Sequence, residues 1–172
     1  MKLPLPQQRP VDAGEAFAQL CAKDHLNTDD LIMLALLEAS GQSLYGAIAD
    51  LSDSLEIDNR EIKALLNQNG QEELGHAHRI LKALSILTGN QYELPEDEHN
   101  PMVGAWPAQE FSAELMESFI QAELDGEAHY NRWAENETNK DVVKIYRLIG
   151  ADERRHSERD KRVLEILQGH QY

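Results

Sequence analysis

Two stretches of this chain repeat one arrangement of glutamate and histidine. Residues 70–79 read GQEELGHAHR and residues 150–159 read GADERRHSER, so both follow the pattern G-x-[DE]-E-x-x-H-x-x-R. Glu73 and His76 stand three residues apart, as do Glu153 and His156. On a helix that spacing separates two side chains by about 60° and about 4.5 Å, close enough to reach one point. Carboxylate oxygen and imidazole nitrogen converging on a point form a metal-ligand set. Mixed ligation of this kind suits iron or manganese; zinc sites usually take fewer carboxylates, and calcium or magnesium does not call for imidazole.

The elements that carry these pairs read as helices. Ile62, Leu65, Leu66, Ile80, Leu84 and Leu87 form an apolar stripe at helical spacing, and its continuation falls on Glu73 and His76. Val142, Tyr146, Ile149, Val163 and Leu167 form the corresponding stripe around the second pair. Two further helices place acids on their core faces. One reads Leu31, Leu34, Glu38, Gln42, Tyr45, Ile48; the other reads Leu115, Phe119, Glu123, Glu127, Tyr130. Glu38, Gly41, Tyr45, Ala49 and Asp50 match Glu123, Gly126, Tyr130, Ala134 and Glu135. Both matches run at nearly the same offset, which indicates a duplicated helical hairpin with approximate two-fold symmetry.

Local signals divide the chain into an N-terminal region, residues 1–27, and a single helical domain over residues 28–169. The first region holds a Pro-rich arm over residues 1–10 and a short helix from Val11 to about Lys23. Asn27 or Thr28 caps the first long helix, with Asp29 and Asp30 favourable in its first turn, and it runs to about Ser54. Asp58 with Glu61 resembles a capping box opening the second helix, which ends near Gly89. Prolines, acids and Gly104 mark a loop from Asn90 to Pro107. The third helix spans about Ala108 to Asn136; Asn139 caps the fourth, which stops at Gly169. Short links within each pair and one long middle link predict an all-α antiparallel four-helix bundle with a crossover between the second and third helices.

Such a bundle sends Glu38, Glu73, Glu123 and Glu153 into one core layer. Each buried carboxylate costs several kcal/mol in desolvation, and the four repel one another. Protonation, arginines or cations must compensate. Two divalent ions would balance the four charges, with His76 and His156 completing the coordination. Arg79 and Arg159 stand six residues past Glu73 and Glu153, off their face, as supporting or packing groups. Tyr45 and Tyr130 lie two turns beyond Glu38 and Glu123; they could hydrogen-bond these carboxylates, take part in redox chemistry or simply fill the core. Glu127 is a rival or extra ligand. Gly41 and Gly126 recur three residues after a glutamate, for close packing or to leave room for a small oxidant. His78 and His129 fall on the surface or rim, and His25, His99 and His170 in termini or loops.

Composition narrows the function. Asp and Glu outnumber Lys and Arg by 31 to 16, for a net charge of −15, which disfavours nucleic-acid binding and suits cations. No apolar run is expected to span a membrane, no basic amphipathic segment suggests a membrane surface, and MKLPLPQQRP lacks the apolar block of a signal peptide. A cytoplasmic protein is the expectation. Cys21 is the single cysteine, so no internal disulfide or Cys-based metal site is possible.

One Glu from each of two helices with E-x-x-H from each of the other two resembles the ferritin-like di-iron carboxylate superfamily, over about 140 residues. The resemblance implies two iron ions per chain, or manganese. It implies that Glu73 and Glu153 bridge them, with Glu38 and His76 on one ion and Glu123 and His156 on the other. Length and the Glu38-to-Tyr45 spacing are similar to rubrerythrin-like proteins, which implies an oxidase or peroxidase acting on dioxygen or hydrogen peroxide. Those proteins usually add a Glu at the place held here by Gly126. This sequence also lacks the rubredoxin-type four-cysteine module, so a separate electron donor is expected. The alternatives are ferritin- or bacterioferritin-like iron storage or detoxification, a substrate oxidase, and a metal-binding stress protein without turnover. A homodimer rather than a cage is the expected assembly.

Overall fold

A computed structural model describes residues 1–6, 8–103 and 110–169 of the chain. Helix α1 spans Ala13–Cys21, α2 Thr28–Leu51, α3 Arg60–Thr88, α4 Ala113–Asn136 and α5 Lys140–Gly169. The pairs α2/α3 and α4/α5 are the two hairpins, and α3 packs on α5 to join them. This is the expected ferritin-like bundle, with the crossover joining α3 to α4.

Helix ends follow capping chemistry more closely than apolar periodicity. Asn27 and Asp30 form a reciprocal capping box at α2: Asn27 Oδ1 accepts from the Asp30 N–H at 2.9 Å, and Asp30 Oδ2 accepts from the Asn27 N–H at 2.9 Å. Asn139 Oδ1 accepts from the N–H groups of Asp141 and Val142 at the start of α5. The capping box expected at α3 is absent. Its N-cap is Asn59, which makes no side-chain cap, while Asp58 is taken up by Arg60, whose Nε lies 2.9 Å from its Oδ1. Helix α4 begins at Ala113, not near Ala108, because Ser112 Oγ accepts from the Leu115 N–H and fixes the first turn there; Ala108 lies outside the described residues. The α1 helix is shorter than predicted, starting where Asp12 caps it and ending at Cys21.

The Pro-rich arm lies along the crossover. Strand β1 (Leu3–Pro4) pairs in parallel with β3 (Tyr92–Glu93), and β2 (Val11–Asp12) with β4 (Met102–Val103). Asn100 Nδ2 donates to the Leu36 carbonyl at 3.0 Å, tying the crossover to α2. At the other end of the arm, the Trp133 indole N–H donates to the Lys23 carbonyl at 2.9 Å and Arg132 binds the Cys21 carbonyl, so α1 is anchored to α4.

Two apolar clusters fill the bundle. One gathers Leu31, Leu34, Ile80, Leu84, Tyr130, Trp133 and Tyr146; the other gathers Tyr45, Ile48, Leu66, Phe119 and Val163. The segment Thr28–Ser54 has a mean hydropathy of 1.4 and is long and apolar enough to cross a membrane by length and composition, which corrects the expectation that no run reaches that length. Its buried face supplies Leu31, Leu34, Glu38 and Tyr45 to the interior of the bundle. We predict that Asn27→Ala, which removes the capping box, destabilises the protein by about 1 kcal/mol. Thermal unfolding should show this as a fall in Tm of about 2–4 °C.

Candidate metal centre

Between the two apolar clusters lies a polar layer. Glu38 comes from α2, Glu73 and His76 from α3, Glu123 from α4, and Glu153 and His156 from α5. All six are buried, and both imidazoles are fully so. They form two overlapping tetrads: Glu38, Glu73, His76 and Glu153 in one, and Glu73, Glu123, Glu153 and His156 in the other. Within each, one ligand atom per residue lies within 4.8 Å of every other. Glu73 and Glu153 belong to both.

The imidazoles aim one nitrogen inward and one outward. His76 Nδ1 is 3.1 Å from Glu153 Oε1 and 3.4 Å from Glu38 Oε2; His156 Nδ1 is 2.9 Å from Glu73 Oε1 and 3.4 Å from Glu123 Oε2. On the outer side His76 Nε2 meets Asp152 Oδ2 at 3.2 Å, and His156 Nε2 meets Glu72 Oε2 at 3.0 Å. Asp152 is held in turn by Arg79 and Arg155, and Glu72 by a two-pronged bond from Arg159 at 2.8 and 2.9 Å. An Nε2–H donating to a carboxylate leaves the Nδ1 lone pair free for a cation. The arginines therefore pair with the acids that precede Glu73 and Glu153, not with those glutamates.

Tyrosines close the layer from above and below. Tyr45 donates to Glu123, and Tyr130 donates to Glu38, so each hairpin's tyrosine holds the other hairpin's carboxylate. Gly41 and Gly126 make room for the shared acids. A Cβ on Gly41 would lie 3.0 Å from Glu73 Cγ and 3.1 Å from its Cβ, and one on Gly126 would lie 3.0 Å from Glu153 Oε2. Gly70 stands in the same way against the Cβ of Tyr45, at 3.1 Å.

Among the side chains alone, the charge is balanced by protons. Burial, with the Glu73 charge beside it, pushes Glu38 up to about 7; burial and the charges of Glu123 and Glu73 push Glu153 far above the carboxylate range. Burial opposes charge on His76 and His156, but the surrounding carboxylates overcome it, raising His76 strongly and His156 to about 10. Burial also works against ionising Glu73, yet the two imidazoles beside it hold it below its ordinary value. Four buried atoms pointing into the layer, His76 Nδ1, His156 Nδ1, Glu123 Oε2 and Glu153 Oε1, lie at ion-pair distance from one another or from Glu73 but make no hydrogen bond of good geometry. Buried polar atoms without partners are costly, and here they converge with oxygen and nitrogen donors. The residues fit a metal site.

Other candidates fall elsewhere. Glu127 stays outside both tetrads and pairs with Arg154 at 2.8 Å. His78 is exposed, while His129 stacks on Trp133 at the rim of a cavity above the carboxylates. His25 lies 3.4 Å from Glu137, and His170 is outside the described residues. Sequence reading assigned no role to Glu72 and Asp152, although the acid before each glutamate was part of the repeat. It also missed Asp160, fully buried, whose Oδ2 is 2.9 Å from the Tyr45 hydroxyl and whose Oδ1 accepts from Asn69 Nδ2 at 3.0 Å. Asp160 and Asn69 have no counterparts in the repeat, where Ile80 and Ile149 stand instead.

A family model described as rubrerythrin matches residues 34–164, which include all six residues of the layer. The chain belongs to the rubrerythrin family. No curated protein and no solved structure matches it. Rubrerythrins are ferritin-like di-iron carboxylate proteins, and the layer supplies a buried carboxylate and imidazole set of the kind such a family needs.

The packing of this layer has measurable consequences. Gly41→Ala should lower metal uptake more than Gly126→Ala, because its methyl meets the stem of Glu73 whereas the other meets only the movable end of Glu153. Loading each variant with Fe(II) and measuring bound metal checks the order. Burial and the charge of Glu123 raise Asp160 to about 8, above its unfolded value near 4. Its contribution to stability is therefore present below about pH 4 and is lost as pH rises to about 8. Asp160→Asn keeps the hydrogen bonds and cannot ionise. Denaturant unfolding of metal-free protein should show wild type losing on the order of 5 kcal/mol relative to the variant across that window.

Proposed function

We propose that this chain is a di-iron oxidoreductase that reduces hydrogen peroxide or dioxygen with electrons from a separate donor. The observation that carries the reading is the pair of tetrads sharing Glu73 and Glu153, with four buried nitrogen and oxygen atoms turned inward that make no hydrogen bond of good geometry. Glu38, Glu73, His76 and Glu153 would hold one ion, and Glu73, Glu123, Glu153 and His156 the other. When bound, two iron ions supply the two electrons that, with two protons, convert peroxide to two waters.

The residues of this chain have defined parts in that reading. Asp152 and Glu72 keep the imidazoles turned so that Nδ1 faces the layer. Tyr45 and Tyr130 hold Glu123 and Glu38 in position through hydroxyl groups that can also hand on a proton. A cavity between α2 and α4 opens onto the four glutamates and admits a small oxidant. The protein is taken as a cytoplasmic homodimer that binds neither membrane nor nucleic acid, in keeping with its acidic charge.

Anaerobic loading with Fe(II) tests the proposal. About two iron ions per chain are expected, and fewer than about one refutes it. Glu73→Ala removes a shared donor and should abolish loading; a variant that loads normally overturns the ligand assignment. Rapid mixing of the ferrous protein with peroxide or dioxygen should oxidise the iron within seconds, whereas inert iron would mean storage or a structural role.

A further inference from the structure

The cavity above the carboxylates is larger than a peroxide molecule needs. It measures about 180 Å³ and has mostly apolar walls, with Phe17 of α1, Leu34 and Leu37 of α2, and Ala122 and Trp133 of α4 around a floor that includes Glu38 and Glu123. A water molecule occupies about 30 Å³ in the liquid, and a dry protein cavity of about 150 Å³ accepts benzene.

The duplication shows that this space is particular to one half of the layer. At the hairpin offset, Leu34 corresponds to Phe119 and Trp133 to Ile48. Beside Tyr45, Phe119 packs its ring edge-on at 5.3 Å in an apolar cluster. Beside Tyr130 the smaller Leu34 leaves room, and Phe17, from outside the duplicated unit, forms part of the wall. The anchoring of α1 by Trp133 and Arg132 keeps that wall in place.

Charge limits what can enter. The lining includes no lysine or arginine, its floor is carboxylate, and burial with the neighbouring Arg132 charge holds His129 below its ordinary value, so the rim is neutral at pH 7. An anion would meet no cationic side chain. An ammonium group would lose its hydration against apolar walls.

We propose that this cavity binds a neutral, largely apolar organic molecule of about six to eight heavy atoms, placed over the edge of the layer formed by Glu38 and Glu123. Its use as a substrate site rests on the di-iron reading above, whereas binding itself does not.

Fluorobenzene, followed by ¹⁹F NMR with iron-loaded protein kept anaerobic, is a suitable probe, and benzylammonium of similar size, which cannot ligate the metal, is the charged control. Saturable binding of one fluorobenzene per chain is expected, with benzylammonium at least tenfold weaker. Leu34→Phe installs the side chain that the other half already accommodates, and it should weaken fluorobenzene binding at least tenfold while iron content stays at the wild-type level. Ala122→Trp, at the cavity edge, should act in the same direction. The proposal is overturned by the lack of saturable binding up to the solubility limit, by binding that both variants leave unchanged, or by benzylammonium binding as well as fluorobenzene. Iron that loads and reacts while fluorobenzene fails to bind sinks the cavity site alone. Fluorobenzene binding to protein that takes up no iron sinks the di-iron reading and leaves the cavity site standing.

Discussion

Four glutamates buried in one layer are the constraint from which most of this structure follows. Ionised together in a dry core they would repel one another by more than a domain of this size can absorb. Compensating positive charge must reach them, and the fold is arranged to supply it. Apolar clusters lie on both sides, and Gly41 and Gly126 give up their side chains so that Glu73 and Glu153 can reach the centre. The bonds from tyrosine to glutamate and from imidazole to the outer acid cross from one hairpin to the other. The charged layer thus joins the hairpins as well as forming the site.

Duplication explains the symmetry of the layer, and departures from it explain where the halves differ. Glu72 and Asp152 act alike on opposite imidazoles. Asp160 and Asn69, by contrast, brace one half alone: Asp160 meets the Tyr45 hydroxyl and Asn69, Asn69 also meets the His156 carbonyl and Arg159, and isoleucines stand at the matching positions. The Tyr130 half lacks that polar support and has the cavity instead, where leucine replaces phenylalanine. One half of the layer is braced by hydrogen bonds, and the other is open to a small molecule.

Membership of the rubrerythrin family places these features in context without duplicating every member. Gly126 stands where such proteins commonly add a seventh ligand, and its missing side chain is filled by Glu153. Glu127, one turn beyond Glu123 and about 40° around the helix from it, pairs with Arg154 and stays outside both tetrads.

The sequence by itself determined the helical class, the paired hairpins and the six residues that converge. Those features follow from helical periodicity and from a repeat whose spacing survives in one dimension. The N-caps of α2 and α5 were legible for the same reason, since they depend on residues two or three apart, although the reciprocal bond from Asp30 that completes a box at α2 was not. Tertiary structure decided the rest. Asp58 looked like a cap and bound Arg60 instead, because nearby charge competes for the same carboxylate. Asp160 was invisible because a repeat search discards a residue without a counterpart, and its partners lie 91 and 115 residues away. The roles of Glu72 and Asp152, the cross-bonding of the tyrosines and the cavity beside Leu34 all depend on how the two hairpins pack. Spacing within one helix records which face a residue occupies, and only the packed bundle fixes what that face meets.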